Sequence, residues 1–513
     1  MNKTTRAIST VSILLLISKP FAFLREMIVA AYYGATYQTD AYNMAMVIIG
    51  LSTSIISAGV ATVIIPMYNH KRVQQSKEIA DSFANNILWI TSLFYFFLAM
   101  IGIAFAPILV KIFAPSFSGE VATLTINIIR IIFIFTIATN ISNYMASIAK
   151  IYDKFAITVI TVYPSTILTI ILTIFFANTI GVYALVISYV LFVLLQASMY
   201  IFSVRKVFRF KAIFKLNNGD LYDVVKLSLP LYIQVGFGEI NMIIDKILAS
   251  GLPEGSISAM NYAIRLRELP YGTVTVSIIT VMFPLISQYA AKSDFSRMKA
   301  VTIKSVSLLI TILLPIILIS VYYSAEITKI IYERGSFAPE TTALTASIFM
   351  FIVPSLIFHG GAILLNNSFY SMKDTKTPQF AAIITVACNI IFNLILVRYM
   401  QAAGLALATS IASLVQFVIL FIQFRRKLGA FGGLVFLKNT VKCVVAAAIM
   451  LPVLLLCELL RDRLPLFVFF AAGAAISLCI YAFLLYLLKV NLFMEALHRL
   501  QNFFRNRLKK KNI

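Results

Sequence analysis

Apolar residues run through this chain in blocks of about 20, the length a helix needs to cross the hydrocarbon core of a bilayer, and short polar or basic segments separate the blocks. The pattern predicts helical spans over 9–33, 41–66, 84–110, 122–149, 156–177, 180–204, 224–249, 257–289, 303–324, 342–371, 379–398, 403–424, 440–460 and 466–488. Strict alternation of the kind that marks strands does not recur, so the expected fold is an all-α polytopic membrane protein of about fourteen transmembrane helices. The first block follows Lys3 and Arg6, contains further charges and is followed by no small-residue cleavage motif, so it reads as a retained span.

Composition agrees with that reading. The 513 residues are 60% hydrophobic and only 12% charged, with mean hydropathy +0.92, whereas charged residues alone make up about a quarter of a soluble domain. The formal net charge of +23 does not indicate nucleic acid, because most of the Lys and Arg fall in alternate loops. The clusters lie at Arg205 to Lys226, Lys292 to Lys304, Arg425 to Lys442 and Arg499 to Lys511. Basic loops mark the cytoplasmic face, which places both termini there and requires an even number of spans.

The chain also matches itself weakly at an offset of about 220 residues. "GEVATLTINIIRI" and "IYDKF" in the first half correspond to "PETTALTASIFMF" and "SMKDTKTP" in the second, which sets Glu120 on Glu340, Leu124 on Leu344 and Thr125 on Thr345. "FLREMIVAA" falls on "MIIDKILAS", setting Glu26 on Asp245. Six spans separate the copies, so the repeats run parallel, as in two-lobed alternating-access transporters with a site near the midplane. The expected organisation is an N-terminal lobe over 1–215, a C-terminal lobe over 216–430, two added spans within 431–490 and a basic cytoplasmic tail over 491–513.

Charges inside spans cost at least about 2.5–3.5 kcal/mol each on insertion scales and need a partner, a wet cavity or the rim. The first span holds Lys19, Arg25 and Glu26; Ser18 shares a face with Arg25 seven residues on, and Lys19 with Glu26. One reading is a local ion pair that satisfies only itself. The other starts from two cations against one anion: Arg25 and, at similar depth in the eighth span, Arg265 grip an anionic ligand such as a diphosphate, since guanidinium binds phosphate bidentately. Arg267 and Glu268 lie close to a break at Pro270 and Gly272 and are either structural or part of the charged site, and Arg130 in the fourth span is either a weaker candidate for the same ligand or an outer-rim residue. A second group comprises Asp245, Asn389, Asn393 and Thr409. Its oxygens suit a monovalent cation such as Na⁺, or they are helix-to-helix hydrogen bonds with Asp245 paired to Lys246. Cys388, Cys443, Cys457 and Cys479 lack metal-type spacing, and His70, His359 and His498 are scattered, so no enzymatic constellation is visible.

Those same stretches carry a family resemblance. "SKPFAFLREMIVAAYYGATYQTDAYNMA", "SAMNYAIRLRELPYGTVTVSIITVMFPLIS", "YERGSFAPETTALTA" and "FYSMKDTKTP" resemble the MurJ (MviN) family of lipid II flippases, within the multidrug/oligosaccharidyl-lipid/polysaccharide (MOP) exporter superfamily. The resemblance covers about the first 430 residues and is compatible with the two added spans. It implies a transporter that moves undecaprenyl-diphosphate-linked saccharide from the inner to the outer leaflet of the bacterial cytoplasmic membrane by alternating access.

On matching positions the resemblance implies a substrate site of Ser18, Arg25 and Arg265, with Lys19 where the family has Arg and Glu26 where it has Asp. A family Arg of the second span is missing near Ser52 to Ser54. It further implies a sodium site of Asp245, Asn389, Asn393 and Thr409 with the Leu405 carbonyl, Na⁺ as coupling ion with no other cofactor, and an apolar groove for an isoprenoid tail along the added spans. The implied partners are lipid II or a similar glycan, membrane lipids and cell-wall synthesis proteins. A flippase for another lipid-linked saccharide shares the site; a drug antiporter of the same superfamily predicts twelve spans and an acidic cavity.

Overall fold

The computed structural model describes residues 3–216, 219–429, 433–495, 497–499 and 501, and the basic tail expected over 491–513 lies mostly outside them. Every regular element among the described residues is helical. The chain packs as two compact units, the first comprising Met1–Ser258 with Arg334–Thr341 and the second Ala259–Glu333 with Thr342–Ile513. These packing units follow a different boundary from the sequence repeat, because the long helix after residue 218 packs on the second helix.

Unit 1 contains α1 (Lys3–Tyr33), α2 (Tyr37–Gln74), α3 (Lys77–Ala104), α4 (Ala106–Phe113), α5 (Gly119–Ile134), α6 (Thr136–Ile151), α7 (Phe155–Ile160), α8 (Val162–Ile180), α9 (Tyr183–Val204) and α10 (Gly219–Ser250). At one end its connections are tied together through main chain and short side chains. Asp40, in the first turn of α2, is buried. It accepts from the Gly255 N–H at 2.7 Å, the Ser258 N–H at 2.8 Å and the Ser258 hydroxyl at 2.6 Å. Glu254 accepts from the Tyr37 N–H at 2.8 Å, and the Ser336 N–H donates to the Ala31 carbonyl at 2.7 Å. A side chain on Gly255, at φ +83°, would run into the Ala35 carbonyl oxygen, so this approach needs glycine.

The other end of unit 1 is held by buried tyrosine and amide networks. Tyr68 donates to Asp81 at 2.6 Å and meets the Tyr152 hydroxyl at 2.7 Å, which joins α2, α3 and the end of α6. Asn85 and Asn86 of α3 clasp the main chain of the basic connection: their amides donate to the Arg209 and Lys215 carbonyls at 2.8 and 3.1 Å, and their oxygens accept from Lys211 and Lys215. Lys71 pairs with Asp220 at 2.8 Å.

Unit 2 is built from α11 (Ser256–Pro270, which starts in unit 1), a π-helical turn at Tyr271–Thr275, α12 (Val276–Ala291), α13 (Phe295–Tyr322), α14 (Ser324–Tyr332), α15 (Pro339–Ile352), α16 (Ser355–Ser371), α17 (Lys376–Leu428), α18 (Gly433–Cys457) and α19 (Leu466–Leu487). α16 packs against α12, α13 and α17, and the added helices α18 and α19 pair with each other and lie on α13. A buried cluster of Tyr323, Cys443, Met450, Phe469 and Tyr481 seals that contact, with the Tyr481 hydroxyl donating to the Thr311 carbonyl at 3.1 Å.

Length and apolarity alone qualify nine described helical stretches as spans, or ten with the bent pair α5 and α6, so the fold is polytopic while the figure of fourteen is not returned by that criterion. One reason is α17. Its 53 residues would reach about 80 Å as a straight helix, more than twice a hydrocarbon core. It is broken at Gln401, whose φ of 50° and ψ of −130° are not helical, into arms over 376–400 and 402–428 that fit the two predicted spans.

The repeat is written into the backbone. Asp153 (φ 58°) and Lys373 (φ 61°) share a left-handed conformation about 220 positions apart, as do Gly181 (φ 56°) and Gln401 (φ 50°). Gly181 has ψ −141°, close to the ψ of Gln401, and both halves carry a broken helix pair, α5 with α6 and α15 with α16. Thr125 and Thr345, set on each other by sequence, are both fully buried.

Gln401 occupies a conformation that its repeat partner fills with glycine, and a non-glycine residue there costs about 1–3 kcal/mol. Gln401→Gly is therefore expected to raise the thermal unfolding temperature of the detergent-solubilised protein by several degrees; an unchanged or lower value would contradict the strained assignment.

Asp374, between α16 and α17, accepts from the Thr377 N–H at 3.0 Å, the Thr377 hydroxyl at 2.8 Å and Lys427 at 2.6 Å. Burial works against its charge, but Lys427 and the Thr377 donors outweigh it and bring the pKa down from 3.8 to about 2. Because the folded value is the depressed one, its stabilisation is complete above pH ~4 and disappears as pH falls through about 2. Lys427 is half exposed, so Asp374→Asn should cost about 1 kcal/mol at neutral pH and flatten the stability curve between those limits, as read by pH-dependent melting.

Candidate functional site

α1 can keep charge inside the bilayer because Arg25 and Glu26 neutralise each other. The guanidinium Nη2 lies 2.5 Å from the Glu26 carboxylate, with 27% and 17% of the two side chains exposed. Tyr42 of α2 is within electrostatic range of both. Of the two sequence readings, the local pair is thus formed, yet it does not exhaust Arg25: a guanidinium has five N–H donors, so one carboxylate leaves it able to bind an anion. On this side of the same helix Ser18 is half-buried and Lys19 exposed.

In unit 2, Arg265 is exposed on α11. Its neighbour Arg267 bonds to Glu268 at 3.1 Å and donates to Ser355 at 3.4 Å, just before the π-helical turn. That is the structural role its position near Pro270 and Gly272 suggested. Arg130, in unit 1, is exposed and donates to the Ile103 carbonyl at 3.4 Å.

The oxygen-rich group divides between the units. Asp245 is half-buried on α10 of unit 1, and its neighbour Lys246 is buried, 3.5 Å from the Ile257 carbonyl and within range of Asp40. In unit 2, Asn389 and Asn393 are buried one turn apart, the Asn393 amide donating to the Asn389 oxygen at 2.9 Å. The Thr409 hydroxyl donates to the Leu405 carbonyl at 3.1 Å. The structure thus joins Arg25 to Glu26, Asn389 to Asn393 and Thr409 to Leu405. Among the described residues no three His, Cys, Asp or Glu side chains cluster in a way that could hold a metal.

Sequence reasoning passed over Asp40 and its ring of donors. The signal available was weak: "TYQTDAY" sits at a span start and Gly255 about 220 residues beyond Gly34, but only folding shows that the loops meet.

Fold and charge placement together define the class. A helical bundle with an internal repeat, broken helices and many long apolar helices is the architecture of a polytopic helical membrane protein. A solved structure described as the inward-facing conformation of a multidrug resistance MATE family transporter of the MOP superfamily matches with TM-score 0.64 at 15% identity, covering 82% of this chain and 98% of that one. The match is better to one described as lipid II flippase MurJ, inward closed conformation, with TM-score 0.79, 24% identity and coverage of 92% and 97%.

The sequence model of the lipid II flippase MurJ family matches residues 29–473, and the chain belongs to that family. Among its relatives are a probable lipid II flippase MurJ of Rickettsia prowazekii (strain Madrid E), 28% identical over 405 residues, covering 77% of this chain and 79% of the relative. A lipid II flippase MurJ of Burkholderia cenocepacia is 23% identical over 439 residues, covering 82% and 84%.

If the Arg25–Glu26 pair is energetically coupled in the folded protein, a double-mutant cycle with Arg25→Gln and Glu26→Gln should return a coupling of about 1 kcal/mol by chemical denaturation, since the pair is partly exposed. Additive single-variant losses would mean the two side chains act independently.

Proposed function

We propose that this chain is a lipid II flippase, carrying undecaprenyl-diphosphate-linked disaccharide-pentapeptide from the inner to the outer leaflet by alternating access. The carrying observation is membership of the MurJ family over residues 29–473, supported by a fold of the same kind. It is a transporter, and no covalent chemistry is required of its side chains.

Arg25 and Arg265, with Lys19 and Ser18, bind the diphosphate; Glu26 holds the Arg25 guanidinium in place and offsets its charge when the carrier is empty. Charge-assisted, bidentate contacts suit this task because they survive in a low-dielectric cavity where weaker hydrogen bonds to a sugar would not discriminate. Asn389, Asn393, Thr409 and the Leu405 carbonyl, all of unit 2, are hard oxygens of the kind Na⁺ takes, with Asn389, Asn393 and Leu405 buried, and the Asp245 carboxylate would add the one formal charge. Bound Na⁺ supplies a compensating charge that biases the empty carrier, and the membrane potential adds about 2.3 kcal/mol for each charge moved through 100 mV. The protein sits in the bacterial cytoplasmic membrane with both termini in the cytoplasm, which the distribution of Lys and Arg supports, and it hands its cargo to cell-wall synthesis proteins on the outer side.

Expression of the wild-type chain should restore growth to cells depleted of their own flippase, whereas Arg25→Ala and Arg265→Ala, present in the membrane at equal amounts, should not. Growth on both variants would remove the arginines from the site; failure of the wild type, with a copurifying lipid of another mass, would point to a different lipid-linked saccharide.

A further inference from the structure

At the end of unit 1 where Asp40 ties the connections together lies a cavity of about 640 Å³, open to the outside and made entirely from unit 1. Its size is that of a small-molecule site. Three walls form it. The start of α2 contributes Tyr37 and Gln38, the turn between α8 and α9 contributes Tyr183, and α5 contributes Glu120, Thr123 and Asn127. The last three are spaced i, i+3 and i+7, so they share one helix face.

The turn that closes the cavity is fixed in place. Gly181 has φ +56°, and a Cβ there would approach the Gln38 side-chain oxygen to 3.1 Å. Tyr33 donates to the Gly181 carbonyl at 3.1 Å. Two of the polar groups facing the space are unspent, since Glu120 and Asn127 make no hydrogen bond or ion pair to another described residue. Glu120 alone could be explained as an acid in the first turn of α5, favourable to the helix dipole. Asn127, two turns on, has no such explanation.

The lining selects its ligand by chemistry. One carboxylate and no cation line the space, which disfavours phosphate, and a divalent metal takes more carboxylates than this. Two tyrosines offer rigid amphipathic faces whose negative π surface suits the C–H face of a pyranose ring. Glutamine, asparagine, threonine and one acid supply the mixed donors and acceptors that sugar hydroxyls and acetamido groups need.

We propose that this cavity is a saccharide-binding site on the outer end of unit 1, taking the N-acetylated amino-sugar portion of the cargo after it has crossed. The choice of sugar class and of the outer side rests on the flippase reading above; the cavity and its lining do not. In this role it holds the headgroup on the exit side, where the diphosphate contacts have been released, and so disfavours the return of the cargo.

The test uses the purified full-length chain in nanodiscs and N,N′-diacetylchitobiose as probe, titrated by saturation-transfer NMR, with Tyr183→Ala, Asn127→Ala and Glu120→Gln as variants and melting temperature as the folding control. Saturable binding by the wild type, weakened about tenfold or more by Tyr183→Ala and Asn127→Ala at unchanged melting temperature, is expected. Glu120→Gln keeps the shape of the side chain and guards against loss of fold in the other two; it should weaken binding in the same direction. Equal affinity across the wild type and all three variants, or no saturation by the wild type up to about 50 mM, overturns the proposal. A parallel lipid II translocation assay in vesicles separates the two ideas. Translocation by the wild type without cavity-dependent sugar binding removes the site and leaves the flippase; cavity-dependent binding without translocation removes the flippase reading and leaves the site.

Discussion

Every backbone N–H and C=O that enters the hydrocarbon core must find its partner within the protein, and the architecture follows from that. Helices meet the demand locally, which is why every regular element among the described residues is helical. Where a helix breaks, a side chain from another helix can answer a freed carbonyl. The bend between α15 and α16 shows how: the Ser410 hydroxyl donates to the Phe351 carbonyl at 2.6 Å just where α15 ends. At the end of unit 1 that holds Asp40, where main chain must approach main chain, short side chains and glycine make the closure, and Asp40 satisfies two N–H groups and a hydroxyl at once.

The same demand applies to charge, and it sorts the ionised residues into kinds. Arg25 is tolerated because Glu26 lies against it, and Arg267 because Glu268 and Ser355 do. Asp374 with Lys427 and Lys71 with Asp220 lie where the helices end, and there they clip connections to the bundle. An ion pair in a span is therefore compatible with both a structural and a transport role, because the carboxylate that neutralises Arg25 leaves most of its donors available.

The internal repeat links these local solutions. Positive φ recurs at Asp153 and Lys373 and at Gly181 and Gln401 although the residue types differ completely. What the two halves share is a chain path, with breaks and turns at equivalent depths, and side chains have diverged around it. The packing units nonetheless cut across the repeat, because α10 belongs by sequence to the second copy and by contact to the first unit.

Much was legible in the sequence, for a physical reason: in a bilayer the solvent imposes a one-dimensional code. The period and length of apolar runs determined the helices, the split of α17 at about residue 401 and the set of charges that must be accounted for, since each of these depends only on a residue and its near neighbours along the chain. Motif-level resemblance determined the family. The tertiary structure alone decided which charges are spent on each other, as Arg25 is on Glu26, and that the Thr409 hydroxyl turns back to the Leu405 carbonyl. It alone brought Tyr37, Glu120 and Tyr183, from three distant helices, around one cavity. Contacts between residues far apart in the chain depend on how helices are rotated and how their ends are tied, and neither hydropathy nor spacing along a single chain encodes that rotation.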